Sequence, residues 1–310
     1  MTRSLIASLF FLLAVAAVAD DSTTTAEPFP KLHGPYLGQA PPGKTPILFA
    51  PDVIPVDGIQ HCVPAFSPDG REVYWSQVDM SGDVPRAEIL FMEEREGIWC
   101  RPTRASFSGV YSDQNPAFSP DGMRLVFTSR RPGGPGMRSN LWYVERTEDG
   151  WSEPELFDAP PNSELGLSQV SFTNDGTAFF VARMDSVQWG GGMYFATRND
   201  GRYMPPQPLD TRFNTRDADV YPFVSPDGSY FLFGSSRPGG NSKETDLYLA
   251  RKKSDGSWGN PVHLGEAINN GFTVSLSRVT YDGRYLFFNR FDEDGTDKFY
   301  WVDASILNDY

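Results

Sequence analysis

The chain repeats one short pattern five times at nearly constant spacing. In each copy an apolar segment runs into a turn of the Ser-Pro-Asp-Gly type and continues into an aromatic segment. The turns follow one another after 52, 54, 52 and 55 residues, beginning at Ser67, Ser119, Thr173, Ser225 and Thr280. A repeat of this length made of short strands is typical of a radial array of small sheets. The repeat therefore predicts an all-β protein.

Each repeat contains four predicted strands. In the fourth copy, residues 221–225 enter the turn, and an aromatic second strand leaves it. A Gly-rich link leads to a third strand, and a hairpin at 254–258 leads to an outer strand at 261–266. Pro, Asp and Gly suit the turn because Pro presets its own φ, Asp caps the turn and Gly accepts a positive φ. Four antiparallel strands per repeat indicate one blade of a β-propeller.

The fifth repeat ends at Tyr310 without an outer strand. Residues 46–50 (PILFA) match the outer strand at 261–265 (PVHLG), although they precede the first repeat. We expect this N-terminal segment to complete the fifth blade, because a closed ring leaves no free sheet edge. The sequence thus predicts a five-bladed β-propeller over residues 45–310.

The first 44 residues precede this domain. Arg3, an apolar run at 5–15 and the small residues Ala17, Val18 and Ala19 are typical of a signal peptide at 1–19. Residues 20–44 form a leader rich in Pro, Gly and Thr that is expected to lie across one face of the domain. We expect a periplasmic or secreted protein with no membrane span after cleavage. An uncleaved anchor is the alternative.

The net charge of the chain limits the classes of molecule that it can bind. The formal net charge of −13 argues against nucleic acid as a partner, because binding to phosphates requires a basic patch.

The two cysteines, Cys62 and Cys100, are assigned to the first and fourth strands of one blade, which lie about 14 Å apart. A disulfide needs Cα atoms within about 7 Å, so two free thiols are expected. We expect a monomer.

The turn motif resembles the repeat of the TolB-type, WD-like propeller family. Residues 66–70 and 118–122 match its Phe-Ser-Pro-Asp-Gly unit, and Asp246-Leu247-Tyr248 matches its third-strand signature. The resemblance covers residues 45–310 and implies an exported bacterial propeller without an attached domain. Relatives in that family include scaffold proteins, lids on serine peptidases and a few carbohydrate-active lyases, so the resemblance is informative about fold and poor for function.

Common catalytic motifs are missing from the sequence. It contains neither G-x-S-x-G nor H-E-x-x-H, and its only histidines are His33, His61 and His263. His263 falls on an outer strand, far from the propeller axis. A Ser-His-Asp site and a three-histidine metal site are therefore both disfavoured.

The best candidates for function precede the inner strands, at what we call the N-terminal mouth of the channel. Period-two alternation places residues six and eight positions before each turn on one side of the strand. The polar and aromatic residues at these positions are His61, Asp113, Asp219, Tyr111, Asp217 and Phe272. Carboxylates beside an aromatic platform are typical of a sugar site. Alternatively, they bond loop amides and solvate the channel.

Two further groups of charged residues each allow two interpretations. Arg130, Arg131 and Arg237 lie beside Gly-rich links and either clamp an anion or pair with an Asp of a neighbouring blade. An acidic link carries Asp292, Asp294 and Asp297, which are either calcium ligands or an acidic hairpin tip. No other cofactor is expected.

Two functional hypotheses follow. The first is an exported, non-enzymatic propeller that binds a protein, an envelope component or a glycan at the N-terminal mouth. The second is a carbohydrate-active hydrolase or lyase that uses Asp113, Asp217 and Asp219 with His61.

Overall fold

The chain is a five-bladed β-propeller, as the sequence predicts. The computed structural model describes residues 29–54, 62–79, 85–135, 139–157, 166–183, 191–241, 244–274, 276–291 and 296–310. Residues 31–310 form one compact unit. Its strands form five antiparallel blade sheets in a ring, and the inner strands of blades 1 to 5 contact one another in chain order around the central channel.

The blades share one strand order. The inner strands are Ala65–Phe66, Asp113–Phe118, Leu167–Phe172, Asp219–Val224 and Ser277–Val279. The second strands are Glu72–Asp79, Arg124–Ser129, Ala178–Arg183, Tyr230–Ser235 and Tyr285–Phe291. The third strands are Arg86–Arg95, Asn140–Thr147, Gly191–Ala196, Asp246–Arg251 and Asp297–Asp303. The outer strands are Thr103–Arg104, Glu155–Leu156, Gln207–Pro208, Val262–His263 and, in blade 5, Ile47–Leu48.

Smaller elements connect these strands. The hairpin strands are Ile98–Trp99, Gly150–Trp151, Arg198–Asn199 and Arg202–Tyr203. The sequence patterns did not predict the short helices, which are Gly265–Ile268 (α) and Tyr36–Gly38 and Ala304–Asp309 (3-10). No helix in the described ranges is long and apolar enough to cross a membrane.

The repeated motif forms a turn with the same Gly N–H to Ser or Thr carbonyl bond in every blade, and we call this side of the ring the turn face. In blade 1 the N–H of Gly70 donates to the Ser67 carbonyl at 2.8 Å. The Ser67 hydroxyl donates to Asp69 Oδ1 at 2.6 Å and accepts the N–H of Glu72 at 2.9 Å. Gly70 has a φ of +72°, and the equivalent glycines of the other turns lie between +68° and +81°. The residues of the motif are those that this turn geometry requires. The motif therefore indicates the fold and gives no information about function.

The ring closes as the sequence predicts. Ile47 pairs with Trp301 and Leu48 with Tyr300, so the N-terminal segment supplies the outer strand of blade 5. The N–H of Phe49 extends this pairing by donating to the Phe299 carbonyl at 2.8 Å. Blade 5 therefore joins both ends of the domain.

The described part of the leader packs against blades 1 and 5. Trp99 donates its indole N–H to the Gly34 carbonyl at 2.8 Å. The ring of Tyr36 contacts Phe66 of blade 1 and Tyr285 of blade 5, with centroids 5.0 and 4.8 Å apart. These contacts cover the seam where the ring closes.

Aromatic side chains from the hairpins fill the seams between blades. Trp151 of blade 2 lies edge-on to Tyr74 of blade 1 and donates to its hydroxyl at 2.9 Å. Trp258 of blade 4 packs in the same way on Phe179 of blade 3. Such rings bury large apolar areas, so each blade is held by its neighbour.

Both cysteines are free, as expected. Cys62 is buried, and its sulfur accepts the N–H of Ser76 at 3.1 Å. Cys100 follows the hairpin strand of blade 1 and accepts the N–H of Glu93 at 3.3 Å. Each sulfur is therefore engaged with the backbone of its own blade.

Candidate functional site

Asp113 begins the inner strand of blade 2 and is fully buried, with 0% of its surface exposed. One carboxylate oxygen accepts the Ser108 hydroxyl at 3.0 Å. The other accepts the Ser129 hydroxyl at 2.6 Å and the Arg131 guanidinium at 2.9 Å. Charge and hydrogen bonds together therefore saturate this carboxylate inside the protein.

Asp219 occupies the same position in blade 4 and is 2% exposed. Its carboxylate accepts the N–H of Thr215 at 2.7 Å, the Ser235 hydroxyl at 2.6 Å and Arg237 at 2.8 Å. The two blades thus share one Asp-Ser-Arg arrangement, which we call the clasp.

The clasp arginines bond within their own blades. Ser129 is the strand partner of Asp113, and Arg131 follows two residues later, so all three side chains meet at one end of blade 2. The alternative in which these arginines pair with a neighbouring blade's Asp is wrong. Arg131 also donates to the Phe107 carbonyl at 3.1 Å and lies over the Trp142 ring, 5.4 Å from its centroid. Among the described residues, these partners of the guanidinium belong to blade 2 and to the segment that leads into it.

The other mouth residues retain exposed surface. Tyr111 is 37% exposed and Val110, its neighbour, is 74% exposed. The Arg131 guanidinium lies 5.6 Å from the Tyr111 ring centroid and supports that ring. Asp217 is partly exposed, and its N–H donates to the Thr215 hydroxyl at 3.2 Å. Phe272 is partly exposed and its ring lies 6.4 Å from that of Phe291.

His61, Asp292 and Asp294 lie outside the described residues. Asp297 is buried and accepts the Asn289 amide at 3.0 Å. Within the described ranges, no group of three or more His, Cys, Asp or Glu side chains is placed to hold a metal ion.

The inner strands of blades 2, 3 and 4 carry the same irregularity. Asn115, Gln169 and Tyr221 occupy equivalent bulges and have φ values of +55°, +45° and +59°. The Gln169 amide donates to Asn115 Oδ1 at 3.4 Å, linking two blades near the axis. Asn tolerates a positive φ, but Gln and Tyr rarely adopt one, so the channel wall is locally strained at Gln169 and Tyr221. The repeat motif gives no signal for this.

Tyr281 links two blades at the turn end of the channel. Its hydroxyl extends from blade 5 to blade 2 and donates to the Phe118 carbonyl at 2.8 Å. Burial raises the pKa of Tyr281 to about 12, so the group remains a neutral donor. A cavity of about 20 Å³ lies beside it, between the walls of four blades.

Larger clefts lie between blades on the turn face. The cleft between blades 3 and 4 measures about 620 Å³ and is lined by Trp258, Phe195 and Asp175 among others. The cleft between blades 1 and 2 measures about 570 Å³, and an ion pair of 2.9 Å between Arg146 and Glu72 lies on its wall. The aromatic rings in these clefts also form the seams between blades.

Comparison with known proteins identifies the fold and no family. No protein-family model matches the chain, and no curated protein matches it. A thermostable family-43 glycoside hydrolase superposes with a TM-score of 0.51 at 14% identity, over 80% of this chain and 90% of that chain. A glycosyl hydrolase from Bacteroides ovatus gives 0.50 at 12%, over 86% and 95%. A chain of Kuenenia stuttgartiensis hydrazine synthase gives 0.40 at 14%, and the match covers 73% of this chain and 60% of that chain. At these identities the likeness concerns architecture alone.

Proposed function

We propose that this protein is an exported, non-enzymatic propeller that binds a protein partner at its N-terminal mouth, centred on Val110 and Tyr111. The observation that carries the proposal is the clasp. Asp113 and Asp219, the carboxylates on which an enzyme site would depend, are buried and bonded within their own blades. Tyr111, two residues from Asp113, remains exposed.

The clasp weakens the hydrolase or lyase alternative. Glycoside hydrolysis commonly uses two carboxyl groups on either side of the scissile bond. Each group must reach the substrate within hydrogen-bond distance. Of the three candidate carboxylates, Asp217 alone retains exposed surface. A single accessible carboxylate is sufficient for a polar contact with a ligand, whereas acid-base catalysis of this kind needs two.

The exposed pair has the properties of a docking surface. An apolar side chain that is 74% exposed beside a half-exposed tyrosine is costly in water and gains from being covered. Tyrosine is enriched among the residues that dominate binding energy in protein interfaces. The guanidinium of Arg131 holds the Tyr111 ring from one side, so little conformational entropy is lost on binding.

Export and the partner's location rest on the sequence. The signal-peptide pattern at 1–19 supports export, and the resemblance to TolB-type propellers supports a partner in the cell envelope. The net charge of −13 supports a partner other than nucleic acid. A glycan remains the competing ligand, because Tyr111 and Asp217 also suit a sugar ring and its hydroxyls.

The proposal is tested by looking for turnover. The mature domain is incubated with a panel of polysaccharides, and released reducing ends and unsaturated products are quantified. We expect no product above the protein-free blank. Asp217→Asn serves as the matched variant, since its partly exposed carboxylate can be removed without opening the clasp. Product formation that Asp217→Asn abolishes at an unchanged melting temperature would overturn the non-enzymatic assignment.

A further inference from the structure

Two clefts on the turn face contain the same kinds of aromatic residue, one between blades 1 and 2 and one between blades 3 and 4. Each is lined by a hairpin tryptophan of the following blade, which is Trp151 in the first cleft and Trp258 in the second. Each is also lined by two stacked rings of the preceding blade, which are Tyr74 and Phe91 at 5.2 Å in the first and Phe179 and Phe195 at 5.9 Å in the second. The two clefts can therefore be compared position by position.

In the cleft between blades 1 and 2 the polar groups bond to one another. The Trp151 indole N–H donates to the Tyr74 hydroxyl at 2.9 Å, and that hydroxyl donates to Glu72 at 3.1 Å. The Arg146 guanidinium lies over the Trp151 ring, 4.0 Å from its centroid, and forms an ion pair of 2.9 Å with Glu72. The indole donor, the cation and the carboxylate of this cleft are therefore all paired within the protein.

The cleft between blades 3 and 4 lacks this network. Phe179 packs on Trp258 but carries no hydroxyl, and Thr177, two residues before it, carries no charge. The first cleft has a tyrosine and a glutamate at these two places. The Trp258 indole N–H therefore donates to no part of the chain that the structure describes. The Lys252 ammonium lies 5.5 Å from the Trp258 ring centroid and forms no ion pair with a described residue.

Two carboxylates also line the cleft between blades 3 and 4. Asp175 and Asp227 each use Oδ1 for the turn, where it accepts a Thr or Ser hydroxyl and a backbone N–H two residues further on. These hydrogen bonds hold the pKa of both carboxyl groups below its ordinary value, so both are ionised at neutral pH. Oδ2 of each carboxylate takes no part in these bonds. Because the two carboxylates outnumber Lys252, the lining disfavours an anionic ligand.

We propose that the cleft between blades 3 and 4 binds an uncharged sugar unit of a glycan. Its volume of about 620 Å³ is that of an ordinary small-ligand site. The C–H face of a sugar packs on aromatic rings, and Trp258 and Phe195 are both partly exposed here. Sugar hydroxyls donate and accept, so they suit the indole N–H, the Lys252 ammonium and the two Oδ2 atoms together. The cleft is separate from the N-terminal mouth, and the inference does not depend on the partner proposed there.

The site is tested by calorimetric titration of the mature domain with oligosaccharides. The neutral probes are hexamers of cellulose, xylan, maltose and chitin, and an alginate hexamer is the anionic counterpart. Trp258→Phe keeps a ring in the seam between the blades and removes the indole N–H, whereas Trp258→Ala removes the ring. Trp151→Phe and Trp151→Ala are the matched controls in the cleft whose polar groups are paired. The melting temperature of each variant reports whether the fold is kept, and Lys252→Met provides a further variant at an exposed position.

We expect at least one neutral hexamer to bind, and the alginate hexamer to bind more weakly than it does. Trp258→Phe should weaken that binding about 5-fold, the value of one lost hydrogen bond, and Trp258→Ala should weaken it more than about 10-fold. Both Trp151 variants should bind as the wild type does. The proposal is overturned if no neutral hexamer binds, if the alginate hexamer binds more tightly, or if the Trp151 and Trp258 variants lose affinity equally. Binding that survives Trp258→Ala but is lost in Tyr111→Ala would assign the sugar to the mouth and would equally overturn a site in this cleft.

Discussion

Removal of Asp219 should cost stability and not turnover, which distinguishes a structural carboxylate from a catalytic one. Asp219→Ala deletes the acceptor of the Thr215 N–H, of the Ser235 hydroxyl and of the Arg237 guanidinium. The Arg237 side chain is only 17% exposed, so its charge remains largely buried without a partner. The variant therefore removes the acceptor of three donors, one of which is the Arg237 cation.

The magnitude follows from this geometry. Breaking one partner of a buried ion pair costs about 3–5 kcal/mol. The lost neutral hydrogen bonds lie within the same group and do not add independently. We therefore expect Asp219→Ala to lower the free energy of unfolding by about 4 kcal/mol. The pair Asp219→Leu/Arg237→Met removes both charges and should cost less than the single substitution, about 2 kcal/mol.

Urea unfolding followed by tryptophan fluorescence gives these values, since the chain contains 7 Trp. Asp217→Ala is the matched control, because its partly exposed carboxylate lies on the same loop, and it should change stability by less than about 0.5 kcal/mol. A double-mutant cycle over Asp219 and Arg237 isolates their coupling. An unfolding midpoint for Asp219→Ala equal to that of the wild type, at the same urea dependence, would refute the structural role of the clasp.

Three further predictions concern the turns and the thiols. Gly70→Ala meets no atom within 4 Å but must adopt a φ of +72°, so it should lower the unfolding free energy by about 1 kcal/mol in urea. The Ser225 hydroxyl holds the pKa of Asp227 below its ordinary value, so the stability it contributes is present above pH ~4 and lost as pH falls through the folded-state pKa. Urea unfolding at pH 5 and pH 3 should show a smaller acid loss in Asp227→Asn than in the wild type, and an equal loss would contradict this. Burial raises the pKa of Cys62 to about 12, so an aromatic disulfide reagent at pH 8 should modify no more than Cys100 in the native protein and both thiols in urea, and two fast native thiols would contradict the burial.

The architecture was predictable because it is encoded locally and five times over. Each Ser-Pro-Asp-Gly-type turn needs Gly at a positive φ and Asp as acceptor, so a few residues determine where one strand ends and the next begins. Ring closure by residues 46–50 was predictable because these residues match the outer strand of blade 4 at 261–265. The one-residue-shorter turn of blade 3, in which the Thr173 N–H reaches Thr177 and not the residue after it, shows that a degenerate motif also changes geometry.

The candidate site was less predictable, because it depends on which side chains meet across a blade. Asp113 begins its inner strand, but its partner Arg131 lies eighteen residues away, and strand alternation does not report that pairing. Val110 lies in a loop without periodicity and therefore gave no signal.

Binding at the N-terminal mouth is tested most directly by site-specific photo-crosslinking from position 110. A photoreactive phenylalanine analogue replaces Val110 in cells that produce the protein, and Met123, which is 52% exposed beside a turn at the opposite end of its blade, is replaced as the control. We expect one discrete protein adduct from position 110, none from position 123, and loss of the adduct when Tyr111→Ala is added. Crosslinking that is absent at 110, or equal at both positions, would contradict a protein-binding site at this mouth.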